Sequence, residues 1–143
     1  MTTDSLSEKI SFIVPVYNEE ESIDKFLYSI ENVLKDVSPK IQYEIIFVND
    51  GSVDRTCETI MAYAAHNSCI GLINLSRNFG KEAALYAGLC HAQGEAVVPI
   101  DVDLQDPPEV VIEMITHWRN GAKIVNARRV NRECDTWIKR KTA

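Results

Sequence analysis

Short apolar, β-branched runs alternate along this chain with segments of helical period, and the runs end in polar or acidic loops. The runs cover residues 10–14, 44–48, 70–75, 96–100 and 123–127. They are apolar throughout rather than on every second residue, which is the mark of strands buried on both faces. Between the first two, Ile23, Phe26, Leu27, Ile30, Val33 and Leu34 recur at a spacing that lines one helical face. Cys57, Ile60, Met61 and Ala64 mark a second helix, capped by Ser52 or Asp54. Gly80 opens a third over residues 81–92, rich in small residues, and Gly94 ends it. Pro107 and Pro108 lead into a fourth, with Val111, Ile112, Met114, Ile115 and Trp118 on its apolar face and Gly121 as its stop. This alternation predicts βαβ units: one α/β domain over residues 10–143, with a mostly parallel sheet flanked by helices, behind a flexible segment 1–9.

Charge and cysteine content narrow the function classes. With 15 Lys and Arg against 21 Asp and Glu the net charge is −6, which argues against a general nucleic-acid binder needing a basic face. The basic residues gather at one end, where Arg128, Arg129, Arg132, Lys139, Arg140 and Lys141 face only Glu133 and Asp135, so an anionic partner or a solvated helix is expected there. The four cysteines form no CxxC pair and have no His at metal-ligand spacing, so free thiols in a reducing, cytoplasmic setting are expected. No run approaches the roughly 20 apolar residues of a membrane span, and none at the start reads as a signal peptide, so the chain alone is expected to be soluble.

In open parallel sheets, ligands bind beyond the carboxyl ends of the strands. That rule selects four loops. Asp101-Val102-Asp103 follows a buried strand and can aim two carboxylates at one hard divalent cation, Mg²⁺ or Mn²⁺, with the Gln105 carbonyl nearby and Asp106 placed to cap the next helix. Asp50, after another buried strand, suits hydrogen bonds from a nucleobase or a ribose, or is a turn residue bonded to backbone. Pro15-Val16-Tyr17-Asn18-Glu19 offers a rigid proline, an aromatic ring and two polar groups, suited to a flat base, although alone it reads as a strand-to-helix loop. Arg77 and Lys81 flank the third strand end and face phosphate or solvent. Neither GxGxxG nor a Walker lysine motif is present, so phosphate must be handled by a metal on Asp101 and Asp103 or by the basic tail. His66, His91 and His117 fall on helices or helix ends, away from these loops.

Taken together, Val14-Pro15-Val16-Tyr17-Asn18-Glu19-Glu20, Val48-Asn49-Asp50-Gly51-Ser52, Ser76-Arg77-Asn78-Phe79-Gly80-Lys81-Glu82-Ala83-Ala84 and Asp101-Val102-Asp103-Leu104-Gln105-Asp106-Pro107-Pro108-Glu109, in this order, resemble the family 2 glycosyltransferases of the Rossmann-like GT-A fold. Within that family the chain is most similar to the polyprenyl-phosphate glycosyltransferases, on the side of the bacterial bactoprenol glucosyltransferases and more distantly the dolichol-phosphate mannose synthases. The resemblance implies a nucleotide-sugar donor held at Pro15, Tyr17, Asn18, Glu19, Val48 and Asp50, with Val102, Lys81 and Arg128 also on the donor. It implies Asp101 and Asp103 as catalytic residues and Asp101, Asp103 and Gln105 as the metal set. Arg129, Arg132, Lys139 and Arg140 would meet the acceptor phosphate or the membrane.

The implied reaction is inverting transfer of a hexose, glucose from UDP-glucose, to a polyprenyl phosphate such as undecaprenyl phosphate, at the cytoplasmic side of a bacterial inner membrane, as in modification of O-antigen or cell-envelope glycans. A homo-oligomer is compatible with this. Members of the family usually continue beyond the residue matching Ala143 into acceptor-site and membrane parts, so the resemblance implies a chain cut short at its carboxyl end. The competing expectation is a fragment that binds nucleotide-sugar without turnover. A receiver domain would need an acidic pair where Pro15-Val16-Tyr17-Asn18 stands, and a sugar nucleotidyltransferase a glycine-rich first loop.

Overall fold

A computed structural model describes residues 8–128. Eight elements follow one another: β1 (Lys9–Val16), α1 (Ile23–Lys35), β2 (Gln42–Asn49), α2 (Thr56–Ala64), β3 (Ile70–Asn74), α3 (Lys81–His91), β4 (Ala96–Pro99) and α4 (Val110–Arg119). The strands form one sheet in the order β3-β2-β1-β4, and every pairing in it is parallel. The chain winds outward from β1 through β2 to β3, then crosses back to place β4 on the other side of β1. The winding direction therefore reverses between β1 and β4, and a ligand crevice is expected at the carboxyl ends of those two strands.

Side-chain alternation along β1 sorts the core into two layers. Ile10, Phe12, Val14 and Val16 pack with α1, α2 and α4 through Ile23, Phe26, Ile30, Ile60, Val111 and Ile115. Phe26 meets Phe47 of β2 edge-on, with ring centroids 5.8 Å apart and planes at 74°, the arrangement that aromatic quadrupoles favour. On the other face Ile13, Ile46 and Val48 pack under α3 at Ala84. Each such side chain, wholly removed from water, contributes about 1.5–3 kcal/mol. The small residues of α3 have a packing reason: a Cβ on Gly88 would run into Ile13 and Val48, so the helix lies close against the sheet.

The amino end of the sheet is closed by a polar lock. The Ser11 hydroxyl donates to Glu44 Oε1 at 2.5 Å, the Gln93 amide donates to the same oxygen at 2.7 Å, and the Gly94 amide donates to Ser11 Oγ at 2.8 Å. Lys9 Nζ lies 3.3 Å from Glu44 Oε2. Burial pushes the Glu44 carboxyl upward, but these hydrogen bonds and the Lys9 charge outweigh it and hold the group below its ordinary value.

Four of the five expected strands are present, and the expected fifth at residues 123–127 is not a strand. Residues 124–128 carry no regular structure, and Ile124 is 81% exposed. Lys123 and Val125 do lie beside β4, lining a recess with Ala96, Val97 and Val98. β4 is only four residues long and ends in Pro99, which has no N–H to donate, so an apolar sequence alone does not secure a ladder there. The prolines before α4 act one turn earlier than expected: the Pro107 and Pro108 carbonyls accept from the Val110 and Val111 amides, and the helix proper starts at Val110 without a side-chain cap.

Candidate functional site

Three loops at the carboxyl ends of β1, β2 and β4, with the turn that opens α3, enclose a hollow of about 550 Å³. Pro15, Tyr17, Glu19, Asp50, Lys81, Asp101, Val102, Asp103 and Gln105 all line it. Residues up to 90 positions apart in sequence, from Pro15 to Gln105 in the loop after β4, thus meet at the point where the winding reverses.

The loop after β1 is fixed by the loop after β2. Asn18 has φ 51, a left-handed conformation that asparagine tolerates. Its amide donates to Ser52 Oγ at 2.9 Å, and its Oδ1 accepts from the Val53 amide at 2.8 Å. The Glu19 amide donates to Thr56 Oγ1 at 2.8 Å and the Glu20 amide to Asp54 Oδ2 at 3.2 Å, while Glu20 Oε2 accepts from the Arg55 amide at 3.1 Å. Asp54 also accepts from the Thr56 amide at 2.9 Å, which is the capping role its position suggests. Burial raises the Asp54 carboxyl, yet bonds from Thr56 and Glu20 win and hold it below the ordinary value. This stitching presents the half-exposed Tyr17 ring at the rim of the hollow.

Asp50 is 5% exposed, and its carboxylate is engaged across the molecule rather than in its own turn. Oδ1 accepts from the Phe79 amide at 2.7 Å and Oδ2 from the Gly80 amide at 3.0 Å. Next to it, Gly51 has φ 78, and a Cβ there would fall on the backbone of Arg77 and Asn78. Asp50 and Gly51 together clamp the turn that opens α3. Lys81, the first residue of that helix, then reaches Asp101 Oδ1 at 2.5 Å. In the loop after β4, Gln105 Nε2 donates to Asp103 Oδ2 at 2.9 Å, and Leu104 has φ 50.

Not every expected side chain reaches the hollow. Val48 is fully buried under α3 in the second core layer. Asn18 is turned to Val53, and the exposed Arg128 is not among the lining residues. Arg129, Arg132, Lys139 and Arg140 lie outside the described residues. The grip of Asp50 on Phe79 and Gly80 was not legible in the sequence, because backbone amides 29 and 30 residues away leave no side-chain signature.

The donor chemistry fits a hard divalent cation of the kind that shares its ligand's phosphates. Asp101, Asp103 and Gln105 bring oxygen donors to one wall of the hollow. Among the described residues no three His, Cys, Asp or Glu side chains converge into a closed cage. Mg²⁺ sites of this type use one or two carboxylates and leave the remaining positions to water and phosphate.

A doubly wound α/β domain with an acidic hollow at its reversal point is a class of nucleotide-handling fold, and the comparisons with known proteins narrow it. The pattern that defines Glycosyl transferase family 2 matches residues 11–143, and the chain belongs to that family. It is 50% identical over 135 residues to the bactoprenol glucosyl transferase of Shigella phage SfV, covering 94% of this chain and 43% of the relative. It is 48% identical, also over 135 residues, to a prophage bactoprenol glucosyl transferase homolog of Escherichia coli, covering 94% and 44%. The chain thus spans less than half the length of the curated relatives it matches. Among solved structures it is similar to Staphylococcus aureus TarS (residues 1–349) in complex with UDP-GlcNAc, with TM-score 0.63 and 28% identity over 87% of this chain and 37% of that one. It is also similar to a mannosyltransferase of Pyrobaculum calidifontis in complex with GDP-Man and Mn²⁺, with TM-score 0.59 and 27% identity over 72% and 34%.

Proposed function

We propose that this chain forms the donor-binding part of a metal-dependent, inverting hexosyltransferase that moves glucose from UDP-glucose to a polyprenyl phosphate. The observation that carries the reading is the gathering of Tyr17, Asp50, Asp101 and Asp103 around one hollow at the reversal point of the sheet. Relatives that bear the name bactoprenol glucosyl transferase support the acceptor class.

In this reading the base and ribose lie toward Pro15, Tyr17, Glu19 and Asp50, with Asn18 acting through the loop it fixes and Val48 through the buried strand that ends at the hollow. Asp101, Val102 and Asp103 lie toward the diphosphate, and Asp101, Asp103 and Gln105 would hold Mg²⁺ or Mn²⁺. Such a cation, when bound, neutralises charge on the departing diphosphate. The acceptor is a phosphate monoester with a second pKa of about 6, largely dianionic at neutral pH, so it attacks without a protein base. His66, His91 and His117 do not line the hollow, in keeping with that economy. Arg128 is assigned to the donor phosphates or the acceptor phosphate, and Arg129, Arg132, Lys139 and Arg140 to the acceptor phosphate or to anionic headgroups at the cytoplasmic face of a bacterial inner membrane. Among the described residues no helix is long and apolar enough to cross a membrane.

A thermal-shift panel tests the reading. UDP and UDP-glucose should raise the melting temperature with Mg²⁺ or Mn²⁺ and more weakly without, while GDP and GDP-mannose should do so less. No shift with any nucleotide overturns the proposal. A shift without transfer of glucose to undecaprenyl phosphate assigns this chain as a nucleotide-sugar-binding part without turnover of its own.

A further inference from the structure

Four carboxylates line the hollow, those of Glu19, Asp50, Asp101 and Asp103, and among its described lining residues Lys81 is the single cation. The Phe79 and Gly80 amides just before α3 already donate to Asp50, and the ammonium of Lys81 is the positive side chain that the turn presents. That ammonium stands against Asp101 at 2.5 Å, the same carboxylate assigned above to the divalent cation. One oxygen cannot serve both cations at full strength.

We propose that Lys81 is a resident counter-ion of Asp101 that makes cation and nucleotide binding interdependent; the inference rests on the nucleotide-sugar reading of the hollow. With no nucleotide present, Lys81 neutralises Asp101 and lowers its affinity for a divalent ion. A diphosphate carries more negative charge than one carboxylate and draws the ammonium away. Asp101 is then open to the metal, and the metal in turn strengthens the diphosphate. Because coupling between two bound species is reciprocal, each tightens the other by the same factor. Side chains at 60% and 55% exposure can exchange partners without unpacking the core. An exposed pair is also weak enough to be displaced.

Lys81 sits at the surface of the first helical turn, so its replacement should leave the fold intact, which circular dichroism checks. Loss of the free-ion Mn²⁺ signal in electron paramagnetic resonance then reports binding to the whole chain, alone and with UDP. In Lys81→Gln, Mn²⁺ alone should bind roughly two- to fivefold more tightly than in the unaltered protein, the size of one exposed ion pair. UDP without metal should bind less tightly, and the gain that UDP gives to Mn²⁺ should shrink. Lys81→Arg should keep the coupling. In an Asp101→Asn background, Lys81→Gln should no longer change Mn²⁺ affinity, since the pair is already gone. Unchanged Mn²⁺ affinity in Lys81→Gln, with UDP still bound, overturns the inference and leaves the functional reading standing. Failure of the unaltered chain to bind any nucleotide overturns that reading instead, while the Mn²⁺-alone measurement still decides whether Lys81 competes at Asp101.

Discussion

Glu44 and Asp101 are both carboxylates beside a lysine, at opposite ends of the same parallel sheet. Glu44 has a side chain 17% exposed and accepts from Ser11 and from the Gln93 amide besides facing Lys9. Asp101 is 55% exposed and meets a Lys81 that is itself 60% exposed. At the amino end the charge is consumed in holding β1, β2 and the turn before β4 together. At the carboxyl end it is left where an incoming ligand can claim it. The difference lies in the surroundings rather than in residue type: three anchored donors fix a carboxylate, and one mobile donor leaves it exchangeable. Asp50 crosses this division, because it sits at the carboxyl end yet is buried and doubly bonded like Glu44.

Four changes break or sharpen that contrast. The largest loss of stability is expected for Asp50→Ala, about 3 kcal/mol in urea unfolding, because the Phe79 and Gly80 amides lose their acceptor; uridine and UDP should also bind less tightly. An unchanged unfolding midpoint would mean that the clamp on the α3 turn is not structural. Next comes Glu44→Ala, at about 2 kcal/mol for a lost set of charge-assisted bonds, with nucleotide affinity unchanged; weakened UDP binding would erase the distinction between the two ends. A pH effect follows in third place. The folded-state Glu44 and Asp54 carboxyls lie below their ordinary values of 4.5 and 3.8, so the stability they contribute is present above those values. It is lost as the pH falls through them toward the lowered folded values, because the unfolded chain then binds more protons. Glu44→Gln should flatten the acid limb of the stability curve, and an identical limb refutes the assignment. The smallest stability effect, within about 0.5 kcal/mol, is expected for the exposed Asp103→Asn. That variant should nonetheless lose the metal dependence of UDP binding in calorimetry.

The sheet is legible because apolar runs and helical periods are written in consecutive residues: the spacing alone puts Phe26 and Ile30 on one helix face. The gathering of Tyr17, Asp50, Asp101 and Asp103 was legible too, since parallel topology puts every strand's carboxyl end on one side. What stayed hidden were contacts with backbone. The sequence around Asp50 fits a ligand for base or ribose, or a residue of its own turn, and neither reading foresees its hold on Phe79 and Gly80. In the sequence Glu44 marks only the start of a strand, with no sign of the Ser11 hydroxyl 33 residues away. Residues 123–127 carry the composition of a strand, but composition does not supply a partner, and they form no ladder with the short β4.

The seating of Gly88 against Ile13 and Val48 has a reach beyond its own layer. Helix α3 is a stiff rod, and Lys81 stands seven residues, about 10 Å, up its axis from that glycine. A methyl group added at position 88 would lift or slide the rod and carry the ammonium with it, so the aim of a charge at the mouth of the hollow is set two turns away by the absence of a single carbon.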